Sequence, residues 1–186
     1  MNRYTGRPED LESGLDVPED NAKPALDLMN YGMYVIGSRG RAGLNVMAAH
    51  WLMQVSFKPR IVALSLENDA RTLANVREKR VFSVNIMGEG SADLIASFLQ
   101  PSDPRKIAGR AATGTTNVDK LAGVPHKTMA TGCPILRDAL AWFECEVEGG
   151  LPAGDHTLVL ARVTDGGQIN HGRPLRDDDL GWTYSG

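Results

Sequence analysis

Two cysteines in 186 residues are too few for a disulfide framework, and Cys133 and Cys145 do not share the spacing of a metal knuckle. Two isolated thiols fit a reducing compartment, so a cytoplasmic protein with both thiols buried is expected. Lys and Arg are scattered, the net charge is -3 and the pI is near 5.8. No basic stripe recommends nucleic acid as a partner. The apolar runs are strand-sized, well short of the ~20 residues that a membrane span needs. The first residues, MNRYTGRPEDLESGLDVPED, are polar and acidic and lack the apolar core of a signal peptide. No G-x-G-x-x-G stands between a strand and a helix, so a Rossmann unit is not expected to hold NAD. Walker, HExxH and CxxC patterns are missing as well, and no metal site is expected. Ser38, His50 and Asp155 make a notional triad, but no G-x-S-x-G elbow supports it.

What remains is an ordinary globular composition, 42% hydrophobic with a mean hydropathy of -0.25. One domain with its own core is the default at this length. Residues 1–24 carry Pro8, Pro18 and Pro24 and read as an irregular arm, followed by a short helix over Ala25–Met29. Residues 25–186 read as the single domain. Strands are expected at Tyr31–Ser38, in one or two pieces over Leu44–Phe57, and at Arg60–Leu66. Ala70–Lys79 has helical spacing, with Asp69 as its N-cap. Arg80–Met87 alternates as a strand, and Ser91–Leu99 reads as a helix with Ser91 as a cap. Residues 101–132 hold several Pro, Gly and Thr and read as a loop excursion or lid. Strand pattern returns at Ala139–Glu148. Gly149–Gly154 is then a connection into a strand at His156–Thr164, joined as a hairpin. Many strands, few helices and hairpin-like joins favour an antiparallel barrel over a βαβ sheet. Ile61–Leu66 and Leu158–Val163 are apolar on both faces and need a second cover, which a dimer partner supplies.

Four clusters carry candidate chemistry. Glu67–Thr72 runs from a strand end into a helix start. Arg71 offers a forked cation, Thr72 a hydroxyl and the first turn its free N–H groups, the set a phosphate needs. The same spacing also fits a capped surface helix, and Asp69 would repel an anion. Asn45–Trp51 places small Ala48 and Ala49 beside polar Asn45 and His50, which lets a flat ring approach the strand. A buried strand with a core Trp and a satisfied His fits equally. Ser56, in QVSFKP, can bond a ligand or end a strand before Pro59. Gly154-Asp155-His156 is a turn pairing that also presents a histidine at a barrel mouth, where it can orient a nicotinamide or move a proton.

Taken in order, YGMYVIGS, NVMAAHW, QVSFKP, ALSLENDARTLANV, FSVNIM, then CP-L, ECEVE and GDHTL, the chain resembles the flavin reductase family over roughly Pro24–Val163. The resemblance implies a mainly β fold, a six-stranded antiparallel Greek-key split β-barrel with a few short helices. It also implies a homodimer with FMN near the subunit interface, and hydride transfer from NADH or NADPH to flavin, with a monooxygenase as a possible recipient. The alternative on the same fold is an electron-transfer or non-catalytic FMN-binding protein. Carried over by position, Asn45, Ala48, Ala49, His50 and Trp51 would line the isoalloxazine and ribityl chain. Ser56, Ser65, Arg71 and Thr72 would contact the ribityl or phosphate, and His156 would stand on the nicotinamide side. The chain departs from the family pattern at Ala48 and His50, where many relatives carry Thr and Ser. The flavin itself supplies the hydride chemistry, so no strong acid–base dyad is required.

Overall fold

The structure, a computed structural model, describes residues 19–99 and 119–180. The chain divides into a small unit that holds helix α1 (Glu19–Leu26) and a main unit, Asn30–Gly181, that holds the sheets. The position of α1 corrects two expectations. The helix meets the expected Ala25–Met29 only at Ala25 and Leu26, and it runs through Pro24 inside the segment read as irregular. A proline in a helix interior removes one N–H donor, and here the helix tolerates it two residues from its end. Lys23 also pairs with Asp27 one turn on, at 3.2 Å.

The main sheet is antiparallel throughout. It is built from β1 (Tyr34–Gly40), β2 (Gly43–Ala49), β3 (Leu52–Phe57), β4 (Arg60–Glu67), β5 (Val81–Ile86), β8 (Ala141–Ala153) and β9 (His156–Gln168). Their order is β2-β1-β5-β8-β9-β4-β3, seven strands where the resemblance implied six. Leu44–Phe57 breaks at His50-Trp51, where the Leu52 N–H bonds back to His50 O at 2.9 Å. That tight turn sends β2 and β3 to opposite edges of the sheet. The mainly β antiparallel architecture with few helices is as expected.

One core fills the inside of the curved sheet. Ile36, Val62, Leu64, Leu66, Phe82, Val84, Val159 and Ala161 contribute from the strands. Helix α2 (Arg71–Lys79) lays Leu73 and Val76 into it. The expected cap is corrected here: Ala70, not Asp69, occupies the N-cap position, and it makes no side-chain cap bond. Helix α3 (Ala92–Leu99) follows a 3-10 turn at Glu89–Ser91 and buries Ile95 and Phe98. A second layer covers the other face of β1 and β5. Strands β6 (His126–Thr128) and β7 (Pro134–Leu136) pair with each other there. Ser83 Oγ and Asn85 Nδ2 donate to Pro134 O at 2.6 and 3.3 Å. These strands lie at and beyond the end of the segment read as a loop excursion. Most of that segment, 101–118, lies outside the described residues.

Gly149–Ala153, read as a connection, is strand. Residues β8 149–153 pair with β9 156–160, and the turn is only Gly154-Asp155, with Gly154 at φ +62°. A segment from Arg173 to Leu180 straps the sheet: Met33 N–H bonds Leu175 O, Leu175 N–H bonds Met87 O, and Asp177 N–H bonds Tyr31 O. Among the described residues no helix is long and apolar enough to cross a membrane, and no group of three His, Cys, Asp or Glu could hold a metal.

Candidate functional site

Strand β2 links two polar centres. At its start is a cleft of about 380 Å³, lined by Ala42, Gly43, Leu44, Asn45, Arg71 and Lys120, with His126 on its rim. Asn45 alternates with the outward residues of β2 and so points inward, where its Nδ2 donates to Thr72 Oγ1 at 3.0 Å. Both side chains are buried. One residue earlier, Arg71 opens α2 and donates from Nη2 to Ala42 O at 3.0 Å. The turn before β2 is thereby tied to the helix start. The Thr72 hydroxyl accepts from Asn45, which leaves its own O–H to donate. Behind this pair Asn75 Nδ2 donates to Ser38 Oγ at 3.1 Å, and the Cβ-less Gly40 makes room for the Asn75 amide. Asp119 lines the cleft beside the two cations, Arg71 and Lys120. Burial, and then the charge of Arg71, push the Lys120 amine down to about 8.

Just past the end of β2 is an aromatic corner. Trp51 and His156 have ring centroids 4.8 Å apart, and Tyr31 lies 6.4 Å from Trp51. Register explains the meeting. Trp51 O accepts from Ser65 N–H at 2.9 Å, Ser65 pairs with Leu158, and His156 is two residues from Leu158 on the same sheet face. His156 Nδ1 is 2.6 Å from Asp155 Oδ1, and this contact holds the Asp155 carboxyl below its ordinary value. The corner is braced from α2 and from the turn before it. Asn68 accepts from Thr157 Oγ1 at 2.7 Å and donates to Gly154 O at 3.1 Å, while Arg77 donates to Thr157 Oγ1.

The structure therefore brings Asn45, Arg71 and Thr72 together, and separately Trp51, Ser65 and His156. Four other candidates sit differently. Ala49 packs in the main core, and Ala48, also buried, alternates to the other face of β2. His50 is turned inward, with Nδ1 3.2 Å from Asp177 Oδ1. Burial pushes His50 down and Asp177 up from their ordinary values. Ser56 lies on edge strand β3, opposite Ile61 and beyond a register shift. Sequence reasoning missed Asp177, Lys120, Asn68 and Tyr31. Asp177 sat in an acidic run that reads as solvated surface, and Lys120 in a stretch without pattern.

A family profile described as the flavin reductase like domain matches residues 26–181. Among curated proteins, a diflavin flavoprotein A 1 from Synechocystis is 30% identical over 151 residues, covering 80% of this chain and 24% of its own length. A probable flavin reductase from Rhizobium meliloti is 27% identical over 134 residues, covering 72% of this chain and 38% of its own. The chain thus spans well under half the length of these relatives. Among solved structures, the styrene monooxygenase flavin reductase from Pseudomonas putida S12 superposes with a TM-score of 0.67 at 28% identity, over 86% of this chain and 94% of that one.

Proposed function

The chain belongs to the flavin reductase-like family, and we propose that it is an NAD(P)H-dependent FMN reductase acting as a homodimer. The observation that carries this reading is the placement of two complementary centres at the ends of one strand. The residues present fit FMN. The start of α2, Arg71 and the Thr72 hydroxyl match a phosphate. The Trp51–His156 corner offers a flat apolar surface with a polar tip. Flavin, when bound, supplies the hydride-accepting chemistry.

The chain's own residues then bind, orient and move protons. Arg71 and Thr72 hold the phosphate, and Asn45 fixes the Thr72 hydroxyl. Trp51 shields the ring side from water. His156 donates from Nδ1 to Asp155, which leaves Nε2 to take or give a proton. The face that carries Trp51, Ser65 and His156 continues into half-buried Ile61, Leu158 and Leu160 and into exposed Met53 and Leu151, 63% and 57% accessible. An apolar sheet face of this kind supports a second copy as its cover, seated beside the corner. The likeness to the reductase of styrene monooxygenase supports reduced flavin delivered to an oxygenase as the product's use.

The test is spectroscopic. Protein mixed with FMN under anaerobic conditions should lose its visible flavin absorbance when NADH or NADPH is added. Bound flavin that stays oxidised with both would leave an electron-transfer or carrier role on the same fold.

A further inference from the structure

A second cleft, of about 270 Å³, lies between the C-terminal half of α2 and the β8–β9 hairpin. Its lining residues differ from those of the cleft at the start of β2. The floor is apolar, with Leu73 and Val76 from the helix and Val147 and Val159 from the strands. Gly150 forms part of the wall. It pairs with Val159, so a side chain at this position would stand on the same inner face. A Cβ there would meet Leu158 O at 3.4 Å and Thr157 Cγ2 at 3.6 Å, ordinary contacts, so a larger residue would fill the space that glycine leaves. Two exposed arginines, Arg77 and Arg80, complete the lining. Each is pinned to the hairpin by one hydrogen bond. Arg77 Nη2 donates to Thr157 Oγ1 at 3.0 Å, and Arg80 Nη2 to Val147 O at 2.8 Å. A guanidinium has five N–H donors, so each keeps others to offer. Among the described residues none that lines the cleft is acidic. Glu78 of α2 lies with Lys79 and Arg41, and Glu146 and Glu148 of β8 lie with Arg162. Arg80 also stands at φ +59°, the left-handed conformation that glycine takes at many helix ends. Arginine carries strain there that glycine would not.

We propose that this cleft is a second ligand site, for a small organic acid that carries one carboxylate on a compact apolar body. The carboxylate pairs with Arg77 and Arg80, and a single ring or short alkyl chain covers Val76 and Val159. A carboxylate is a planar, singly charged match to a guanidinium fork. The apolar floor takes the rest of the molecule. A phosphate fits less well. The cleft flanks the C-terminal end of α2, where the helix dipole is negative and opposes a dianion. The Arg80 and Val147 amides are already spent, on Val76 O and Arg80 O, each at 2.9 Å. The site does not depend on the flavin reading, since it shares neither the Arg71–Thr72 pair nor the Trp51–His156 corner.

The experiment is a set of saturation-transfer NMR titrations with benzoate, hexanoate and benzyl alcohol. Wild type should bind at least one of the acids saturably, with Kd on the order of 1 mM or tighter for ligands of this size. Benzyl alcohol, which lacks the charge, should bind roughly tenfold more weakly. Arg80→Gly should lose roughly tenfold in acid affinity with the alcohol unchanged. That variant relieves the left-handed strain and should stay folded. Gly150→Val should abolish acid binding by filling the cleft, with circular dichroism to check the fold. Should that variant fail to fold, Arg80→Gly decides alone. Excess FMN or inorganic phosphate should leave the acid bound. Four results would overturn the proposal: no saturable binding of either acid, an alcohol bound as tightly as the acids, unchanged acid affinity in Arg80→Gly, or displacement of the acid by FMN or phosphate.

Discussion

Replacing Asp177 with alanine should destabilise the protein by about 1–3 kcal/mol, the cost of stranding a buried polar partner. The carboxylate faces His50 Nδ1 at 3.2 Å, and the two side chains are 9% and 2% accessible. Asp177 also belongs to the Arg173–Leu180 strap, and its own N–H bonds Tyr31 O, so the pair joins the strap to the turn that carries Trp51. Burial drives both groups toward their neutral forms, His50 downward and Asp177 upward. The pair should therefore behave as two neutral groups in close polar contact more than as an ion pair. Asp177→Asn keeps a carbonyl oxygen as acceptor and should cost less than half as much as Asp177→Ala. For a chain of this size each kcal/mol moves Tm by about 2–4 °C, so the alanine variant should melt about 2–12 °C lower. Thermal unfolding followed by circular dichroism, with tryptophan fluorescence for the Trp51 environment, reads both effects. An Asp177→Ala variant within about 0.5 kcal/mol of wild type, the range of a surface change, would refute the reasoning. Equal losses for Asn and Ala would show that the pair is ionic.

Three further outcomes are expected. Arg71→Ala should weaken FMN binding by roughly 1–3 kcal/mol with riboflavin unaffected, since its loss removes a charge-assisted bond to phosphate. Unchanged FMN affinity in a titration takes Arg71 out of the site. His156→Ala should lower NAD(P)H oxidation more than FMN affinity, because its Nε2 is the group left to move a proton. Full turnover in steady-state assays makes His156 a turn residue only. Met53→Asp together with Leu151→Asp should shift the protein from dimer to monomer in analytical ultracentrifugation, by placing charge on the apolar outer face. An unchanged sedimentation coefficient locates the interface elsewhere or removes it.

Much of the sheet was readable because its strands alternate or run apolar at strand length. Arg60–Glu67 and Val81–Ile86 were placed within a residue or two. Helix α2 was placed within one residue by its Leu73 and Val76 spacing. The misses have physical causes. Gly149-Gly150-Leu151-Pro152 has loop composition, yet β8 continues through it because β9 supplies every partner, with a register shift at Val147/Gly149 absorbing the strain. Tertiary pairing overrode local propensity there. Helix α1 was misplaced because Pro24 was taken as a breaker, when it costs a helix only one bond near its end. In the site, Arg71 and Thr72 stood out as a strand-to-helix cluster, and Asn45 as a polar residue in an apolar strand. Their partners did not. Lys120 lies 49 positions after Arg71 in a stretch with no periodicity, and Asp177 is one of three consecutive aspartates, only one of which is buried. Local pattern does not record which charged residue a distant strap folds inward.

The most direct measurement is a crystal structure of the protein with FMN bound. The account predicts the phosphate within hydrogen-bond distance of Arg71 and Thr72 at the start of α2, and the ring against Trp51 and His156 at the far end of β2. FMN bound with its phosphate away from that cleft, or with its ring away from that corner, would contradict it.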